Sequence, residues 1–402
     1  MSRKSHAIAD RVAGLDASGI RKVFDLAAQL ADPINLSIGQ PDFDVPESAK
    51  QAAIEAIRAG KNKYTQTQGT AELRADLAAL CRAEFGWRDE RVILVTSGVS
   101  GALMLALLAT VNPGDEVAFT DPYFVMYTHL VHLCGGRCVQ VSTYDDFRPN
   151  VQRIADAITD RTRLLILNSP ANPTGAVYTE GELRDIAEVA AKRDLLVISD
   201  EIYNLFCYDG PFVSMAGLYE NTLLMRGLSK SYAMTGWRIG WCTGPRVILE
   251  KMTMLQQYSF VCAPSMAQEG ARAALHADMS AEVSAYKRKR DMVYAALGPT
   301  MGLVKPAGAF YAFCPAPGGD ATAFVAKAIA SNVLIIPGNV FSSRDTHFRL
   351  SYATRDEKLA AGLDILVKLA ENQKTGGGHR APGKRQQATG NTRRGGGTGA
   401  SR

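Results

Sequence analysis

The chain has 402 residues, 47% of them hydrophobic and 21% charged, enough for a large core and a second domain and incompatible with a fibrous or wholly disordered protein. Its net charge of +5 is a property of the tail: from residue 371 onward seven basic residues stand against one acid, which leaves residues 1–370 with one net negative charge. No stretch approaches the ~20 apolar residues needed to cross a bilayer, Met1–Asp16 lacks a signal-peptide core, and the seven scattered cysteines read as reduced and buried, which together predict a cytoplasmic protein.

Residues 1–45 read as an arm that contributes to a small domain and packs on a partner subunit. From residue 46 to 290, short apolar runs at Val92–Thr96, Glu116–Thr120, Arg163–Leu167, Leu195–Ser199 and Thr222–Arg226 alternate with helical periods. Such uninterrupted runs predict strands buried on both faces, hence an α/β fold: a three-layer α/β/α large domain with a mostly parallel sheet. In Glu180–Lys192, Leu183, Ile186, Val189 and Ala190 recur at the helical period and make one apolar face to lay on that sheet. After a long helical stretch at Met279–Leu297 the pattern changes. Strands at Ala309–Phe313, Val333–Ile336 and Phe348–Tyr352, with helices at Ala321–Ala330 and Glu357–Leu369, predict a smaller α+β domain over residues 291–370. Residues 371–402, rich in Gly, Arg, Gln and Thr, cannot bury enough surface to fold. Lacking aromatic residues for base stacking, this basic segment reads as a solvated, disordered tail and not as a nucleic-acid tether.

Several strand ends carry chemistry. Thr96–Gly101 passes from strand to helix, where free N–H groups, the close approach allowed by Gly98, and the Ser100 hydroxyl make an anion site around Gly98, Val99 and Ser100. Cys134 and Cys138, near His129 and His132, match no zinc spacing and read as packing residues. After the next apolar run, the Pro-rich turn Asn168–Gly175 is rigid enough to hold the Asn172 amide against a bound ligand. Asp200 ends a strand, the usual place for ligands in open parallel sheets, and Tyr203 lies three residues on. Lys230 follows Ser229 in the run Gly227–Gly240, eight residues before Arg238, with glycines around both. An amine placed to reach a carbonyl, beside Ser229 and Arg238 as the second half of a phosphate cup, suggests pyridoxal 5'-phosphate. That cofactor's ring nitrogen also needs a buried carboxylate to stay protonated, which Asp200 can supply.

The order and spacing of these pieces resemble the class I/II aminotransferases, fold-type I pyridoxal-phosphate enzymes, from about residue 15 to 370. The similarity includes Leu36–Phe43, Tyr64–Gly69 followed by Leu73 and Arg74, Asn172–Gly175, Asp200–Tyr203, Ser229–Arg238 and Phe348–Ser351. It implies that Lys230 is the Schiff-base lysine and proton shuttle, Asp200 the pyridinium partner, and Asn172 with Tyr203 the pair on the phenolic oxygen. Gly98, Val99, Ser100, Ser229 and Arg238 would hold the phosphate, and Phe124 would stack on the ring. Tyr64 would reach the phosphate of the neighbouring subunit, which implies a homodimer with shared sites. Arg349 and the backbone of Gly39 would bind the substrate carboxylate.

The implied activity is transfer of an amino group between an L-amino acid and a 2-oxo acid by a ping-pong route. Glutamate and 2-oxoglutarate would serve one half-reaction, and the donor specificity would be aspartate-type or broad. Two alternatives stay open at this point. A lyase eliminating a β-substituent can use the same lysine and scaffold, and a cofactor-binding regulator can share the fold, although no DNA-reading domain precedes it.

Overall fold

The computed structural model describes residues 8–13, 15, 30, 32–87 and 91–376. After a two-residue strand, β1 (Ile34–Asn35), the chain builds one sheet from β2 (Ile93–Ser97), β3 (Glu116–Asp121), β4 (Arg137–Ser142), β5 (Thr162–Asn168), β6 (Leu196–Asp200), β7 (Thr222–Gly227) and β8 (Ile239–Thr243). Their spatial order is β2-β8-β7-β6-β5-β3-β4. All neighbours from β7 to β4 are parallel, while β8 runs antiparallel to both β7 and β2. The five expected strands are present, each within a residue or two of the apolar run that announced it. Strands β4 and β8 were not anticipated. The first is mostly exposed or half-buried and carries Arg137 and Gln140, and the second continues a segment read for its motif.

Helices cover both faces because their sequences present apolar stripes. Glu180–Lys192 begins with a reciprocal capping box, Thr179 accepting from the Glu182 amide while the Glu182 carboxylate accepts from the Thr179 amide. It buries Leu183, Ile186, Ala187 and Ala190, each large apolar side chain contributing about 1.5–3 kcal/mol. Gly98–Thr110 has an almost wholly apolar sequence and is buried along most of its length between the sheet and the helix Arg246–Gln257. A helix with no polar face cannot lie at the surface.

A second, three-stranded sheet has the order β11-β12-β9, from β9 (Tyr311–Pro315), β11 (Ile336–Pro337) and β12 (His347–Ser351). The run expected as one strand at Val333–Ile336 is split. β10 (Val333–Leu334) pairs in parallel with β1, whereas Ile336 and Pro337 pair with β12. A single apolar run can thus serve two partners when the chain turns between them, here at Ile335.

Two helices run across expected boundaries. Residue 290 falls inside the helix Ser280–Met301, and the helix Asp356–Gly376 continues beyond residue 371, where the tail was placed. Residues 377–402, the rest of that tail, lie outside the described residues. Cys134 closes a helix, but Cys138 lies on β4 and not on a helix, its Sγ 3.7 Å from His132 Nε2. Among the described residues no group of three or more His, Cys, Asp or Glu could hold a metal, and no helix is long and apolar enough to cross a membrane.

The reversed strand β8 leaves no room at its start. A Cβ on Gly240 would lie 2.5 Å from the Gly98 carbonyl carbon and 2.6 Å from the Val99 nitrogen. Gly240→Ala is therefore expected to cost about 1–3 kcal/mol through overpacking. A lower denaturant midpoint with an unchanged slope would bear this out, and an unchanged midpoint would refute it.

Candidate active site

Because β2, β3, β5, β6 and β7 point the same way, their carboxyl ends share one edge of the sheet, and the amino end of the reversed β8 lies at that edge too. Arg238 immediately precedes β8 and adopts a left-handed backbone conformation (φ 57°). Its guanidinium is aimed at the first turn of Gly98–Thr110 and donates to the carbonyls of Thr235 (3.0 Å) and Ser97 (3.4 Å). Gly98 also has a positive φ (67°), and a Cβ there would sit 2.6 Å from Arg238 Nη2. Backbone amides of a helix start and a guanidinium are thus brought together at a position only glycine can occupy, an arrangement suited to an anion.

Asp200 and Asn168 end adjacent strands and are register partners. The Asn168 amide donates to the Asp200 carbonyl (2.9 Å) and accepts from the Asn172 N–H (2.8 Å), so one side chain clips the strand end to the turn. The Asp200 carboxylate is only 3% exposed. It accepts from the Tyr127 hydroxyl (2.7 Å) and the Ile202 N–H (3.3 Å). Behind it, Glu201 accepts from Ser199, Ser214 and Arg226, fixing the strand end from the opposite side.

Lys230 stands in the single helical turn Leu228–Ser231 that follows β7, and its Nζ donates to the Gly39 carbonyl (2.5 Å). The Tyr203 and Tyr311 hydroxyls are 3.0 Å apart. Arg349, on β12, is 1% exposed and forms no ion pair with any described acid; it donates to Asn172 Oδ1 (3.0 Å) and the Ser37 carbonyl (2.7 Å). Its Nε is buried without a partner.

Gly39, Val99, Ser100, Phe124, Asn172, Asp200, Tyr203, Ser229, Lys230, Arg238 and Arg349 all line one cavity of about 250 Å³. Gly98 stands behind its wall, against Arg238. Tyr64 does not enter it, being 84% exposed on the surface. Burial, helped by the Arg349 and Arg238 cations and opposed by Asp200, pulls the Lys230 amine down to about 8. Burial pushes the Asp200 carboxyl up to about 6, against the hydrogen bonds from Tyr127 and Ile202.

The chain is similar to known proteins over most of its length. The family model for aminotransferase class I and II matches residues 31–366. The chain belongs to this family. The aromatic-amino-acid aminotransferase 2 of Thermococcus litoralis is 37% identical, covering 92% of this chain and 99% of the relative. The aspartate aminotransferase of Pyrococcus abyssi matches with the same identity and coverage. Among solved structures, the aspartate aminotransferase of Thermus thermophilus with maleate has a TM-score of 0.84 at 35% identity, covering 90% of this chain and 99% of that one. The protein is an aminotransferase of the α/β architecture those structures share.

Three residues of this aminotransferase's cavity region were not singled out in the sequence. Asn168 stood in the quoted turn without a role. Tyr127 follows Phe124 by three residues, a helical spacing that could have drawn attention to it. Tyr311 looks like any strand tyrosine, and only the fold reveals its neighbours.

The folded pKa of Asp200 lies above its ordinary 3.8. Ionising it therefore costs stability, a cost absent below pH ~4 and growing as pH rises through about 6, to roughly 3 kcal/mol at most. In ligand-free protein, Asp200→Asn is expected to raise the melting temperature by ~3 °C at pH 8 and to leave it unchanged at pH 4. A variant no more stable than the parent at pH 8 would show that the carboxylate is held without cost.

Proposed function

We propose that this aminotransferase works with pyridoxal 5'-phosphate in the 250 Å³ cavity, exchanging amino groups between L-amino acids and 2-oxo acids by a ping-pong route. The observation that carries the reading is the convergence there of an amine, a buried carboxylate, an anion cradle and a buried arginine. The fit is physical: the Gly98–Arg238 approach has no space for a Cβ, as a phosphate cup requires, and Asp200 is buried at the end of β6, as a ring-nitrogen partner must be. Gly98, Val99, Ser100, Ser229 and Arg238 would hold the phosphate, Phe124 would cover the ring, and Asn172 with Tyr203 would meet its phenolic oxygen. When bound, this cofactor supplies an aldehyde that condenses with amines and a ring that stabilises negative charge at the substrate's Cα.

The remaining chemistry belongs to the chain. With its amine brought down to about 8, Lys230 is partly neutral at physiological pH and so able both to attack a carbonyl and to accept a proton. Arg349 and the Gly39 backbone fix the substrate carboxylate and thereby aim the Cα–H bond at Nζ of Lys230. Nζ takes that proton and returns it elsewhere, a positioned transfer that typically contributes 10²–10⁴-fold. Asp200 stays ionised when it meets a protonated ring nitrogen, because the opposite charge offsets its burial.

The named activities of the relatives support a donor range that includes aspartate or aromatic amino acids; glutamate and 2-oxoglutarate in one half-reaction follow from the family resemblance. A homodimer accounts for Tyr64 lying exposed outside its own cavity, and for Val247, Met254 and Tyr258, large apolar side chains left uncovered on one helix and just beyond its end. Seven free cysteines favour the reducing cytoplasm. The sheet of β2–β8 would be the cofactor-binding domain and the three-stranded sheet the core of the small one.

Adding a single L-amino acid without an oxo acid should move the absorbance band from near ~420 nm to near ~330 nm. Pyruvate accumulating with the band unchanged would instead indicate elimination. Lys230→Ala should lower transamination by at least ~10²-fold, and a wild-type rate would refute the assignment. Sedimentation should give twice the chain mass, with Tyr258→Asp moving it toward the monomer; a parent protein that sediments as a monomer would refute shared sites.

A further inference from the structure

We propose that Tyr311 is a positioning residue of the substrate-carboxylate site, holding the plane of the Arg349 guanidinium and tying it to Tyr203. Arg349 packs against two aromatic rings, its Cζ 4.6 Å from the Tyr311 centroid and 4.6 Å from the Phe341 centroid. Contact with two ring faces restrains the guanidinium from rotating its fork, and a fixed fork is what two-point binding of a carboxylate needs. The buried setting strengthens this, because Arg349 has no carboxylate partner among the described residues.

Tyr311 is itself fixed from three directions. Its hydroxyl is 3.0 Å from that of Tyr203, and the two rings meet edge-on at 5.6 Å. A Cβ on Gly39 would run into the Tyr311 hydroxyl, so the tyrosine also sets where the Gly39 backbone lies. On β9, Tyr311 is opposite Ser351, two residues from Arg349 on the same strand, so the two side chains share one face of the small sheet. One side chain therefore touches both groups assigned to the substrate carboxylate, Arg349 and Gly39, and one assigned to the cofactor, Tyr203.

The two halves of this role separate chemically. The ring steadies Arg349, and the hydroxyl steadies Tyr203. Tyr311→Phe keeps the ring, so the carboxylate site should survive. Tyr311→Leu removes the ring face and should loosen the fork, as should Phe341→Leu.

The inference rests on Arg349 binding the carboxylate, and the test separates the two. Calorimetry with the cofactor-loaded protein and 3-phenylpropanoate, a carboxylate that cannot react, measures the site without turnover. Arg349→Lys should weaken binding by at least ~10-fold, and if it does not, the carboxylate assignment itself fails. Given that loss, Tyr311→Leu should weaken binding ~10-fold and raise the amino-acid KM more than it lowers kcat, while Tyr311→Phe stays within ~3-fold of the parent. The proposal is overturned if Tyr311→Leu binds like the parent, or if Tyr311→Phe is as weak as Tyr311→Leu. Should Tyr311→Leu fail to fold, Phe341→Leu carries the same comparison, and parent-like binding by that variant overturns the proposal.

Discussion

The reversed strand β8 is the constraint on which the site depends. Were it parallel to its neighbours, the residue before it would emerge at the opposite edge of the sheet, about 16 Å away for a five-residue strand. Running antiparallel, it delivers Arg238 to the edge where the other strands end. The approach is close enough that both contacting chains must be glycine, Gly240 against the Gly98 and Val99 backbone and Gly98 against the guanidinium. A left-handed arginine is the local consequence, a conformation of modest cost that the surrounding sheet imposes.

Around that edge the fold sets three charged groups at distinct tasks by burying them to different ends. Lys230 loses affinity for its proton because burial and two neighbouring arginines oppose its charge. Asp200 gains affinity for a proton because burial outweighs the Tyr127 and Ile202 hydrogen bonds. Arg349 is buried without an acid and is partnered by carbonyl oxygens and ring faces. Each of these settings is poor for stability in isolation. In the function proposed, a ligand that supplies the missing charge would relieve each of them.

The supporting groups are polar clips and one buried ion pair. Asn168 joins a strand end to the turn bearing Asn172, and the Glu201–Arg226 pair, buried with Ser199, Ser214 and Glu84 around it, holds the far side of β6 and β7. Because every member has partners, this network can be rigid without leaving a buried charge unpaired.

Sequence alone determined what depends on local pattern. Uninterrupted apolar runs identified five of the seven strands, since a strand covered on both faces has no polar period, and the 3.6-residue period identified Glu180–Lys192. Asp200, Asn172 and Lys230 were legible because they lie at or just beyond strand ends, within short runs of distinctive composition. Tertiary structure decided what depends on contacts far apart in the chain. The direction of β8, the division of Val333–Ile336 between two partners, and the placement of Tyr127 against Asp200 and of Tyr311 against Arg349 join residues 11 to 299 positions apart. Nothing in an isolated tyrosine or a short apolar run specifies its partner, because side-chain neighbours across a sheet are chosen by register and strand direction, and these are settled only when the whole core packs.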